Sequence, residues 1–265
     1  MKLRNKLIWI TGASGGLGKA MAVEMAREKS ALILSARNKE ALLETSRLCL
    51  EAGAVKTEVI PVDMAESRQI EQAVKQVLSD IGCPDILINN AGISQRSLVK
   101  ETDMSVYRRI FEIDFFGAIY LNKLLLAPML EKEQSQVVVT SSLVGKFSTP
   151  FRSGYAAAKH ALHGFYEALR TEHYRDGLVV TMLCPGFIRT DVSKNALTGS
   201  GDKLGKMDDA QSSGMDPETF AKKAVKAIKA SRSEVVIGGK ERFGVLFNRL
   251  FPALFKRLMR QAKVR

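Results

Sequence analysis

The chain has 265 residues, 46% of them hydrophobic, and a formal net charge of +12. That length and composition exclude a disordered chain and fit one large domain or two small ones. Cys49, Cys83 and Cys184 offer neither a disulfide framework nor a metal-ligand spacing, so a reducing compartment is expected.

The first six residues, Met-Lys-Leu-Arg-Asn-Lys, do not read as a signal peptide. No apolar run approaches the roughly 20 residues that span a bilayer, so a cytoplasmic protein, at most peripheral at a membrane, is expected. Residues 7–10 form a short apolar run that predicts a strand. A helix at 17–28, a strand at 31–35, a helix at 38–52, a strand at 57–62 and a helix at 66–81 follow. Next come a strand at 86–88, a helix at 103–131, a strand at 136–141, a helix at 153–175 and a strand at 178–183. A helix at 217–230 and a strand at 234–237 complete the alternation. Continuous β-branched runs alternating with helices predict a single doubly wound Rossmann-like α/β domain over residues 1–240. Its parallel sheet has about seven strands, with helices on both faces. The ligand crevice of such a sheet lies at the carboxyl ends of its strands.

Residues 192–216 break the pattern. They are rich in Gly, Ser, Asp and Lys and long for a connection, as a mobile substrate lid or a surface insertion would be. Residues 241–265 form a basic amphipathic tail. Eight Lys/Arg and one Glu give +7 over residues 240–265, against +5 (32 basic, 27 acidic) for the other 239. Phe243, Phe247, Leu250, Phe251, Leu254 and Leu258 recur at helical spacing, and Pro252 splits the run. Such a tail suits an anionic membrane surface, the domain itself or a second subunit. Nothing supports nucleic-acid binding beyond the charge.

Three segments carry chemistry. Thr11-Gly-Ala-Ser-Gly-Gly-Leu-Gly18 joins the first strand to the first helix, where glycines let an anion approach the helix N-terminus, although a ligand-free glycine turn would read alike. Asn89-Asn-Ala-Gly92 closes a second apolar strand. Tyr155 and Lys159, four apart, share one helix face thirteen residues after a strand ending at Ser142. Taken alone, that pair reads equally as a buried tyrosine and a surface lysine. His160, His163 and His173 lie within fourteen residues but lack the glutamate of a zincin pattern, so no metal is expected.

In this order and at these separations the three segments resemble the short-chain dehydrogenase/reductase family over about residues 5–240. The resemblance implies hydride transfer between a nicotinamide cofactor and a small-molecule carbonyl or alcohol. It places Gly12, Ser14, Gly15, Gly16, Leu17 and Gly18 around the pyrophosphate. Asp63 and Met64 fall beside the adenine, and Asn90, Ala91 and Gly92 beside the ribose. Pro185, Gly186, Ile188 and Thr190 line the nicotinamide. Arg37 stands where an NAD site often carries an acid, which implies NADP(H) in preference to NAD(H). Gly15 departs from a position that is basic in many NADP-dependent relatives. Tyr155 takes the role of acid and base, Lys159 that of the neighbouring charge and ribose ligand, and Ser142 that of donor to the substrate oxygen. A free phenol titrates near 10, and a neighbouring ammonium favours its ionised form.

Asp114 replaces the Asn that, in the family, anchors a water in a proton relay from the lysine. An ionised Asp donates nothing, so an altered relay is expected. Leu143, Val144, Phe147, Phe151 and Phe187 suggest an apolar pocket for a hydrophobic or lipid-like substrate, contacted by Ser142, Leu143, Tyr155 and Phe187. Packing among loops would explain the same residues. Relatives pair through helices, which implies a homodimer or homotetramer. A non-catalytic dinucleotide-binding regulator or scaffold on the same fold is the alternative.

Overall fold

The computed structural model describes residues 1–260, so residues 261–265 of the expected tail lie outside the described residues. Seven strands form one fully parallel sheet in the order β3-β2-β1-β4-β5-β6-β7. They are β1 (Leu7–Thr11), β2 (Ala31–Ser35), β3 (Lys56–Val59), β4 (Ile86–Asn89), β5 (Ser135–Thr140), β6 (Leu178–Pro185) and β7 (Glu234–Ile237). The helices are α1 (Gly16–Arg27), α2 (Lys39–Ala52), α3 (Ser67–Gln76), α4 (Met104–Phe111), α5 (Gly117–Leu130) and α6 (Ser153–Glu172). The four-residue α7 (Asp209–Ser212), α8 (Pro217–Lys229), α9 (Phe243–Leu250) and α10 (Pro252–Met259) complete them.

Alternation along each strand divides the core in two. Ile8, Ile10, Leu32, Leu34, Ile86 and Ile88 pack on one face with Met21 and Met25 of α1 and Phe220 of α8. Trp9, Ile33 and Leu87 face the other way, onto Leu121 and Leu125 of α5 and Tyr166 of α6. Both faces are covered, which is why the strands read as unbroken apolar runs.

Most element ends fall within three residues of expectation, and three departures stand out. The third strand ends at Val59 rather than 62, because Pro61 has no N–H; Ile60 and Val62 still donate to Leu34 and Ala36. The helix expected at 66–81 ends its regular part at Gln76 and closes through one wide turn, Val77–Ile81. The helix expected at 103–131 is continuous but carries a π turn, Glu112–Phe116, between α4 and α5. Contrary to the reading of short apolar runs, the Met104–Leu130 stretch is long and apolar enough to cross a membrane by length and composition. Its Ile110, Ile113, Leu121, Leu125 and Met129 are buried in the domain core.

Candidate active site

The carboxyl ends of the central strands open into a cavity of about 1220 Å³. Every residue assigned to cofactor, substrate or chemistry lines it except Gly18 and Phe151. Gly18 lies beneath it, where a side chain would collide with the Gly12 carbonyl. Its role is to let α1 approach the loop. Gly12 has φ +67°, and a Cβ there would sit 2.8 Å from the Ala91 Cα. At the cavity floor α1 starts after Gly15 with no side-chain cap and no acid in its first turn. Its first N–H groups are therefore free to bind an anion, and this cradle fits a dinucleotide pyrophosphate.

Thr11, which the sequence reading passed over, holds this floor together. Its hydroxyl accepts from the Asn90 and Ala91 N–H groups at 3.0 and 3.1 Å and donates to the Ile88 carbonyl at 3.3 Å. Asn90 donates to the Thr11 carbonyl at 3.1 Å. Arg37, at the end of β2, is exposed on the rim and has no ion-pair partner among the described residues. Asp63 caps its own turn, accepting from the Ala65 N–H at 3.0 Å, and lies 3.6 Å from Arg109.

The catalytic candidates meet where β5, α6 and the π turn converge. Tyr155 and Lys159 lie one turn apart on α6, and the Lys159 Nζ stands 5.5 Å from the centre of the Tyr155 ring. Lys159 is buried, 3.1 Å from Asp114 Oδ2, and donates to the Thr140 carbonyl at 3.1 Å. Asp114 Oδ1 accepts from the Ile93 N–H at 2.7 Å. The wide turn brings this carboxylate inward, since π turns displace one residue from the helical register and gather at functional sites. Burial pushes the Asp114 carboxyl up, against the pull of Lys159 and the Ile93 N–H. Burial also opposes the Lys159 charge, but Asp114 and Tyr155 outweigh it and the lysine pKa is raised. The added negative charge expected beside Lys159 is thus a direct ion pair.

Ser142 accepts from the Val144 N–H at 3.3 Å and starts the single turn Leu143–Gly145. Ser141 points away, bonding His163 Nε2 at 2.9 Å. His163 lies one turn beyond Lys159, so Tyr155, Lys159 and His163 form a ladder on one face of α6. Burial, with help from Lys146, depresses the His163 pKa to about 4. Its Nδ1 stands 3.6 Å from Glu234.

Residues 192–216 cover one side of the cavity. A buried carboxylate fastens them: Asp208 Oδ2 lies 2.6 Å from Arg96 and 3.3 Å from Arg152. Gln211 donates to the Ile188 carbonyl. Opposite, the tail supplies a wall absent from the sequence reading. Gly244, Phe255 and Met259 line the cavity, and the Phe255 ring meets Phe147 edge-on at 4.9 Å. Glu241 ties the start of the tail to the site by accepting from the Phe187 and Gly239 N–H groups at 3.0 and 2.9 Å. Leu143, Val144, Phe147 and Phe187 line the cavity as expected, but Phe151 does not. It takes φ +66°, and its carbonyl accepts from the Ser97 N–H.

A parallel sheet with an anion cradle after its first strand defines a Rossmann-like nucleotide-binding protein. A profile of the short chain dehydrogenase family matches residues 6–200. The chain belongs to that family and is an oxidoreductase acting on CH–OH or carbonyl groups. It is 38% identical over 263 residues to dehydrogenase/reductase SDR family member 7B of Bos taurus, covering 97% of this chain and 81% of the relative. An alcohol dehydrogenase of Thermococcus sibiricus complexed with 5-hydroxy-NADP is 25% identical, with a TM-score of 0.75, covering 89% of this chain and 97% of that one. A short-chain dehydrogenase/reductase of Burkholderia phymatum in complex with NAD has the same fold, with a TM-score of 0.84 at 21% identity, covering 100% and 98% of the two chains.

Proposed function

We propose that the protein is an NADP(H)-dependent oxidoreductase that interconverts a hydrophobic ketone and its secondary alcohol. Arg37 carries the cofactor reading. It is an exposed guanidinium on the cavity rim, without an ion-pair partner among the described residues, where a 2′-phosphate would lie. The apolar cavity wall supports the substrate reading.

The bound nicotinamide supplies or accepts the hydride. Ser142 donates to the substrate oxygen and orients the carbonyl. Tyr155 gives that oxygen a proton in reduction and takes it back in oxidation. Lys159 keeps a positive charge beside the phenol, and Asp114 fixes Lys159 directly. The lysine's proton store is therefore an ion pair in place of the family's asparagine arrangement. We further read the enzyme as cytoplasmic, assembled from two or four identical subunits, with its tail in peripheral contact with a membrane.

The test is titration with NADPH and with NADH, following energy transfer from Trp9, the sole tryptophan. Tighter NADPH binding that is lost in Arg37→Ala is expected. Equal affinities would overturn the cofactor assignment. Binding without turnover of any ketone, in wild type as in Tyr155→Phe, would favour a dinucleotide-binding regulator. Light scattering checks the assembly.

A further inference from the structure

The tail has two faces with different neighbours. Phe247 and Phe255 turn inward, their rings 6.1 Å apart, and Phe255 and Met259 reach the cavity. Phe243, Leu246, Leu250, Phe251, Leu254 and Leu258 turn outward and are 48% to 60% exposed. These six stand among fourteen exposed large apolar side chains in the described residues, yet they occupy only 16 consecutive positions. Scattered exposed apolar residues are ordinary, but a contiguous patch marks a binding surface.

Charge identifies the occupant. Residues 240–260 hold Lys240, Arg242, Arg249, Lys256, Arg257 and Arg260 against Glu241 alone, and Glu241 is engaged with the Phe187 and Gly239 N–H groups. A second copy docked on this face by twofold symmetry would bring like charges together. Nucleic acid would leave the apolar side chains uncovered. An anionic bilayer satisfies both, with apolar side chains in the acyl boundary and cations among the headgroups.

We propose that the outer face of α9 and α10 seats in an anionic lipid bilayer, while their inner face forms the cavity wall through which a membrane-dissolved substrate enters. The docking stands on the patch alone. The access route rests on the oxidoreductase reading above. Glu241 couples the two, since it joins the root of the tail to the Phe187 loop.

The test uses the full chain and sucrose-loaded vesicles of phosphatidylcholine, with and without phosphatidylglycerol. Sedimentation with the anionic vesicles only is expected, weakening as salt is raised. Leu246→Ser/Leu250→Ser/Leu254→Ser should cut the partition coefficient at least about tenfold. So should Arg249→Glu/Lys256→Glu, which keeps the apolar face. Unaltered binding by both variants, or no binding by wild type, would overturn the docking. So would an oligomer that dissociates in the leucine variant, because a second copy would then cover the face.

NADPH binding and turnover of a water-soluble ketone should be the same in wild type and the leucine variant, and their loss in wild type would instead overturn the oxidoreductase reading. Anionic vesicles should lower the KM for a long-chain, membrane-partitioned ketone in wild type only. Docking without that drop would overturn the access route.

Discussion

The cofactor end and the substrate end of the cavity are built from different materials. The cofactor end uses main-chain groups and short side chains at strand ends: Gly12, Thr11, Asn90 and the uncapped start of α1. The substrate end uses apolar side chains from segments far apart in the chain, Phe147 on a loop and Phe255 near the end of the tail. A pyrophosphate and ribose demand fixed donors at fixed spacing. An apolar pocket demands only volume and exclusion of water. One end is therefore written in spacings and the other in composition.

The sharpest way to break the comparison is Tyr155→Phe. Turnover should fall about 10²–10⁴-fold while dinucleotide affinity stays, as fluorescence titration and steady-state rates would report. Asp114→Ala should come next, because it leaves the buried Lys159 ammonium without its carboxylate. Unfolding in denaturant should show a loss of roughly 3–5 kcal/mol. Asp114→Asn keeps an oxygen for the Ile93 N–H but removes the charge that raises the Lys159 pKa. The limb of the pH–rate profile set by Lys159 deprotonation should then move to lower pH. Turnover lowered alike at every pH would show that the carboxylate is required.

At the two ends, single substitutions should separate cleanly. Arg37→Ala should weaken NADPH by about tenfold to a hundredfold and leave NADH unchanged. Phe255→Ala should raise KM for a hydrophobic ketone by about tenfold and leave both cofactors unchanged. If it altered NADPH binding as strongly, the two ends would not be independent.

The effect confined to acid pH is expected from His163. Its folded-state pKa, about 4, lies below its ordinary 6.5. The unfolded chain thus takes the proton first as pH falls. Stability should be intact above pH 6.5 and decline between 6.5 and 4, by roughly 3 kcal/mol. Thermal melts of His163→Gln should show a shallower decline across that window.

The sequence exposed the sheet, the helices and the cofactor loop because each depends on local periodicity or on glycine spacing. The segment at Ile113–Gly117 was legible as a departure from pattern, but its geometry was not. A π turn shifts the register by one residue without breaking the apolar run around it. Asp208 gave no local signal either, for its partners Arg96 and Arg152 lie 112 and 56 residues away. The inward face of the tail was hidden for a similar reason. Phe255 belongs to the same apolar stretch as the exposed Leu254 and Leu258, and only the packing against Phe147 separates them.

The wide turn at Glu112–Phe116 also sets what this helix can become. Deleting one residue there would restore a regular helix and keep α5 in phase with α4, because the wide turn absorbs one extra residue. Leu121, Leu125 and Met129 would stay on the sheet, while the residues of the turn, Asp114 among them, would lose their present placement. The acid beside the lysine and the hydrophobic seat of α5 are thus separable. A deletion inside the turn can alter the site and spare the core, whereas one in the regular helix on either side must turn one half against the other.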